Sequence, residues 1–136
     1  MAKYVVAVQC NIVKDRCSGY ACERNFHERG GGFAAYAGDS DVRFLSLTCG
    51  GCCGRAVHRK LSNFLRQAKK NENILPADVV VHLASCVSND TYHSPPCPHL
   101  DYLKALIGDK LGLTIAEGTV INELSEKRRQ DGTYQC

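Results

Sequence analysis

Nine cysteines in a chain of 136 residues call for a chemical explanation, and their spacing offers one. Cys49-Gly50-Gly51-Cys52 is a C-x-x-C pair that can chelate one metal ion, because its glycines let the backbone turn tightly between the two sulfurs. A second group follows in sequence order as Cys10, Cys17 and Cys22. A third runs from Cys86 through a proline-stiffened stretch to His93, Cys97 and His99. Thiolates are soft donors, which points to zinc, copper(I) or iron–sulfur chemistry rather than to calcium or magnesium. We therefore read Cys10, Cys49, Cys52, Cys86 and Cys97 as metal ligands, with Cys17, Cys22 and His99 as additions to that set. Zinc takes four ligands and an iron–sulfur cluster is held by four thiolates, so either a zinc ion or a cluster suits a supply this large.

Disulfides explain the pattern less well. The count is odd, the N-terminus has neither the apolar length nor the small-residue cleavage site of an export signal, and the expected compartment is the cytosol, where thiols stay reduced. Nor does a chain this long need staples, since about 150 residues bury roughly 68–70% of the surface exposed when unfolded. No run of about 18 apolar residues is present, so no membrane span is expected. Seventeen Lys and Arg against 14 Asp and Glu give a net charge of +3, too mild to call for nucleic acid, and no basic stretch is interleaved with aromatics. A metal ion is the expected partner, and the sequence names no protein partner.

The elements that must position these residues are legible as apolar patterns. Short runs rich in β-branched residues at 4–10, 42–49 and 79–86 read as buried parallel strands, with a shorter one at 113–117. A helix is expected over 53–70, with Val57, Leu61, Phe64, Leu65 and Ala68 at helical spacing and a solvated face of Arg55, Arg59, Lys60, Arg66, Lys69 and Lys70. A second runs over 98–110, with Pro98 in its first turn, Leu100, Leu103, Leu106 and Ile107 as its buried stripe, and Gly112 closing it. Residues 22–38, interrupted by Gly30, Gly31 and Gly32, read as a broken helix or two short ones. The alternation predicts an α/β fold: a small flavodoxin-like or Rossmann-like three-layer sandwich on a parallel sheet of about four strands in the order 2-1-3-4. We assign residues 1–136 to one metal-binding domain, with the polar residues 120–136 as a loosely attached tail.

In such a sheet all strand C-termini lie along one edge, where ligands bind. Cys10, Cys49 and Cys86 each close a predicted strand. With strands about 4.8 Å apart, Cys10 on the central strand falls one spacing from both of the others, near enough for sulfurs to reach about 2.3 Å from a shared zinc ion.

Together, Gln9-Cys10, Cys17-Ser-Gly-Tyr-Ala-Cys22, Gly30-Gly31-Gly32-Phe33, Cys49-Gly50-Gly51-Cys52, His93-Ser-Pro-Pro-Cys97-Pro-His99 and Glu117-Gly118-Thr119 resemble the CGGC-domain family. The resemblance covers about positions 4 to 119 and implies metal binding through cysteines and histidines. Two positions depart from the family's pattern: Cys53 stands where proline is usual, and Val120 where histidine is usual.

Other readings keep a place. Cys49 could attack and Cys52 resolve a disulfide, making the chain a thiol oxidoreductase, since a C-x-x-C pair at the start of a helix has the lowered pKa such chemistry uses. A metal carrier or sensor docking through the basic helix face is a third. The stretch Gly30-Gly31-Gly32-Phe33 lacks the spacing of a phosphate-binding loop and does not directly follow a strand. His82 lies within an apolar strand and reads as a core histidine; His27 and His58 read as surface residues. Cys53 and His93 are left without an assigned role, and Cys136 is placed outside the site.

Overall fold

A computed structural model describes residues 3–15, 17–51, 55–88 and 99–119. Four strands, β1 Tyr4–Gln9, β2 Arg43–Thr48, β3 Val79–Leu83 and β4 Thr114–Glu117, form one parallel sheet in the order β2-β1-β3-β4. This is the α/β architecture and the strand order that the alternating pattern predicts. Expectations placed on Cys52, Cys53, His93, Cys97, Pro98, Cys136 and the tail at 120–136 fall outside the described residues.

All six residues of β1 are buried, as a central parallel strand covered on both faces requires. The register sends alternate residues to opposite faces. Leu45, Val6, Val81 and Ile115 form one row across the sheet, while Ser46, Ala7, His82 and Ala116 form the neighbouring row on the other face. On the first face Tyr4, Val6, Val8, Val79, Val81 and Leu83 join a core with Val57, Leu61 and Ala68 of helix α2 (Arg55–Glu72), and with Leu103 of helix α4 (Leu100–Lys104). Leu61 is fully buried and Phe64 and Leu65 pack at the margin, so the helical stripe read from the sequence does face the sheet. The opposite face is covered by α1 (Tyr20–Glu28) and a 3-10 turn (Gly31–Tyr36), through Phe26, Phe33 and Tyr36 against Val5 and Phe44. Helical layers on both faces make three layers.

The third strand and the last helix differ from expectation by more than a residue or two at their ends. The third strand stops at Leu83 rather than running to Cys86, because Ala84 makes the last ladder bond, its N–H donating to Val8 O at 2.9 Å. Ser85–Ser88 then forms one helical turn, α3. Ala84 and Val87 remain buried, so the apolar run continues across the change of conformation, and apolarity alone does not mark it. The segment at 22–38 does form two short elements, one of the two forms expected of it. α1 ends where Arg29 takes a left-handed φ of 56°, and the 3-10 turn begins two residues later. α4 is α-helical only to Lys104 and continues as a π-helical turn, Ala105–Lys110, whose buried residues are Leu106 and Ile107. Gly112 follows at φ 69°, closing the element as its position suggested.

His82 is the core histidine its setting implied, 2% exposed. Its Nδ1 lies 3.0 Å from Gly118 O, and a carbonyl only accepts, so Nδ1 carries the proton. Nε2 is then the acceptor for the Tyr36 hydroxyl at 2.7 Å. Burial favours this neutral form, lowering the His82 pKa while the bond to Gly118 partly opposes the shift. Burial also raises the pKa of Tyr36, keeping it a phenol that can donate.

Two outcomes follow. Tyr36→Phe leaves a buried ring nitrogen without a donor and should cost roughly 1–3 kcal/mol in urea unfolding. A histidine held neutral by the fold contributes stability above its ordinary pKa of 6.5, lost as pH falls below it, because the unfolded chain takes the proton more readily. Urea midpoints measured from pH 7.5 down to pH 5 (about one to two units on either side of the ordinary value) should therefore decline, and a His82→Phe variant should decline less steeply.

Candidate metal centre

Parallel pairing fixes where the cysteines sit. Gln9 pairs with Thr48, and the ladder extends one bond further, Cys49 N–H donating to Gln9 O at 3.0 Å. Cys10 and Cys49 therefore emerge side by side at the C-terminal edge of the sheet. Cys86, in the turn after β3, reaches the same edge, where the Cys10 N–H donates to Cys86 Sγ at 3.2 Å. The connection after β1 then doubles back through a 3-10 turn, Val13–Asp15, anchored by Val13, which is 2% exposed. Lys14 N–H donates to Cys10 O at 3.0 Å and Cys17 N–H to Val13 O at 2.8 Å. Cys17 is thereby returned to the edge, and Cys22 follows in the first turn of α1. Cys49 and Cys86 are buried in the core on the α2 face, and Cys10, Cys17 and Cys22 pack half-buried against it. All five are free thiols.

Burial pushes the Cys86 thiol up to about 12. The Cys10 N–H opposes this by favouring the thiolate, while negative charge on Cys10, Cys22 and Cys17 raises the pKa further. Cys86 thus lies within electrostatic reach of three other sulfurs. Cys10 also belongs to a second grouping. A cavity of about 30 Å³ is lined by Cys10, Cys49, Gly51, Val87, His99 and Leu103, along with Asn11 and Ile12. That is room for an ion or a water or two, well below the ~300–1,000 Å³ of a small-molecule site. His99 is exposed at the start of α4, where its carbonyl accepts from Leu103 N–H at 3.0 Å and its side chain makes no capping bond.

Among the described residues, no three His, Cys, Asp or Glu side chains are close enough to hold one ion. The structure instead brings together two partial sets that share Cys10: one around Cys86 with Cys17 and Cys22, the other around the cavity with Cys49 and His99. Sulfur dominates both, a donor set chemically suited to zinc or an iron–sulfur cluster.

Other residues hold this edge in shape. Lys60, read as part of the solvated face of α2, bends its Nζ onto Thr48, donating to the backbone O at 3.1 Å and to Oγ1 at 2.8 Å. It ties α2 to the strand end that carries Cys49. Gly50 has φ 75°, and a Cβ there would collide with the Ala56 side chain, so the Cys-Gly-Gly turn needs glycine at that position. Thr119, 1% exposed, places Oγ1 3.2 Å from Cys22 Sγ. Gln9 is 2% exposed, and among the described residues its Oε1 has no hydrogen-bond partner.

A thiol held protonated in the fold destabilises the folded state relative to the unfolded chain once solvent pH passes its ordinary value. Metal-free protein should lose stability as pH rises from about 9 towards about 12, because the unfolded chain releases the Cys86 proton first. Urea unfolding across that range should show a shallower decline for Cys86→Ala than for wild type. Equal slopes would mean that Cys86 titrates normally.

No curated protein and no solved structure matches the chain. The family model for the CGGC domain matches residues 4–120, which takes in every described strand and helix and all the cysteine groupings but Cys136. Among the described residues, no helix is long and apolar enough to cross a membrane. By its match across most of its length, the chain belongs to the CGGC-domain family.

Proposed function

We propose that this protein binds a metal centre, zinc or an iron–sulfur cluster, through the thiolates of Cys10, Cys49, Cys52, Cys86 and Cys97, with Cys17, Cys22 and His99 completing or extending the set. The observation that carries the reading is the gathering of Cys10, Cys17, Cys22, Cys49 and Cys86 at one edge of the sheet, from three separate strand-to-strand connections. Family membership adds the metal-binding expectation on independent grounds. Cys52 and Cys97 enter on their place in sequence alone.

In this reading each residue has a plain task. Cys10, directly after the central strand, belongs to both groupings and is the hinge between them. Cys86 supplies a buried sulfur whose proton must leave before it can ligate, and the Cys10 N–H stabilises the resulting thiolate. Zinc, when bound, would supply a closed tetrahedral anchor; a cluster would supply one-electron chemistry. Thiol–disulfide exchange at Cys49 is less well supported, because that sulfur's residue is only 8% exposed and shielded from an incoming disulfide.

Protein purified without oxygen should carry metal in stoichiometric amount. Broad visible absorbance would identify a cluster, and colourless protein with bound zinc by elemental analysis a zinc site. Alanine at Cys10, Cys49 or Cys86 should each lower metal content markedly while the far-ultraviolet dichroism of the fold persists. Folded protein that takes up neither zinc nor iron, or alanine variants that load like wild type, would sink the reading. Affinity should also rise with pH, since metal displaces protons from thiols, with proton release measurable by titration in weakly buffered solution.

A further inference from the structure

Three sequence features have no part in the ligand set: the glycine run 30–32, the Glu117-Gly118-Thr119 segment and the buried His82. They meet at one place. Gly118 N–H donates to Leu83 O at 2.8 Å, continuing the sheet beyond β4. The Gly118 carbonyl accepts from His82 Nδ1 at 3.0 Å. The Thr119 carbonyl accepts from Gly32 N–H and from Asn25 Nδ2, each at 3.2 Å. A Cβ on Gly32 would collide with the Gly118 carbonyl, and Gly31 has φ 53° with Thr119 O against its missing side chain, so only glycine allows backbone to lie this close on backbone. Two consecutive carbonyls are thus pinned by three donors.

What this arrangement fixes is the Thr119 side chain, whose Oγ1 sits 3.2 Å from Cys22 Sγ across 97 residues of sequence. Either atom can donate while Cys22 is a thiol. Once Cys22 loses its proton only the hydroxyl can, and a buried O–H aimed at a thiolate orients the sulfur and stabilises its charge.

We propose that Thr119 is the positioning residue for Cys22, donating its hydroxyl to the Cys22 thiolate so that this sulfur can serve as a metal ligand, and that the glycine run serves to hold Thr119 in place. The proposal rests on the metal-binding reading and assigns Cys22 a definite role in it. Asn25 and His82 act one step further out, through the backbone of 118–119. The glycine-rich stretch thereby gains a task that has nothing to do with phosphate.

Thr119→Val keeps the shape and removes the donor; Thr119→Ser restores it. Co2+ added to metal-free protein under anaerobic conditions reports both affinity and, through its sulfur-to-metal charge-transfer band, the electron density on the ligating thiolates. Thr119→Val should bind Co2+ about 10–100-fold more weakly, with a shifted band, and Thr119→Ser should return both towards wild type. In a Cys22→Ala background, Thr119→Val should have no further effect on either readout. Should Thr119→Val fail to fold, Cys22→Ala alone carries the test and must weaken Co2+ binding and lose part of the charge-transfer intensity. Wild-type affinity and an unchanged band in folded Thr119→Val, or in Cys22→Ala, overturn the proposal while leaving the metal-binding reading intact. Wild-type protein that binds neither Co2+ nor Zn2+ nor a reconstituted cluster overturns the metal-binding reading itself.

Discussion

The parallel pairing of β1 is the constraint from which the position of every described thiol follows. With all six of its residues buried, β1 has no water to satisfy its backbone, so its N–H and C=O groups must be met by β2 on one side and β3 on the other. Those ladders run to their ends and one bond beyond, to Cys49 and Ala84. Sliding either neighbour by one residue would orphan buried polar groups and turn its apolar side chains to the wrong face. The edge at which Cys10 and Cys49 stand side by side is therefore set by the same bonds that hold the sheet together. Cys86 lies two residues past the last of them.

The two faces of the sheet divide the labour. On the α2 face the core is aliphatic, and the cysteines form its upper margin, where Lys60 ties the helix back to the end of β2. On the other face the core is aromatic: Phe26 stacks on Phe44, and Phe33 meets Phe26 and Phe44 edge-on while its ring lies 4.8 Å from that of His82. That cluster seats the 3-10 turn, and the turn brings Gly32 against Thr119. A row of side chains beneath the sheet so controls a residue at its edge, through His82 on one side of Gly118 and the glycine run on the other. Buried His82 and Thr119 each have a polar partner on this side, as their burial requires.

The strands and α2 were legible because their signals are local. Val5, Val6 and Val8 announce a buried strand, and Val57, Leu61 and Ala68 return every three or four residues to one side of a helix. The strand order followed from alternation and handedness rather than from any single residue. What escaped was set by contacts between distant segments. Nothing near Leu83 says that β3 stops there, since Ala84 and Val87 are as apolar as the strand. Lys60 looks like its neighbours Arg59 and Arg66, and only the approach of Thr48, twelve residues earlier, distinguishes it. The bond between Cys22 and Thr119 spans nearly the whole described chain, and the glycines that allow it resemble a loop until their partner is known. The cysteine groupings themselves were visible as spacing, but that Cys10 belongs to both emerges only from the fold.

Buried cysteine is also an ordinary small hydrophobe, and packing alone would account for any one of these residues. It accounts less well for their grouping. Filling space needs volume, and alanine or valine supplies that without an ionisable group. Placing Cys86 where charge on Cys10, Cys17 or Cys22 works against its own ionisation adds nothing to a core made of neutral thiols. With a cation among them the balance reverses: each neighbouring thiolate that raises the Cys86 pKa in the metal-free protein becomes a further attraction for positive charge, and the backbone N–H of Cys10 already favours the anion. Were a cation to bind there, the thiol of Cys86, which burial holds protonated, would have to give up its proton, so that proton loss and metal uptake would be coupled through this one buried sulfur.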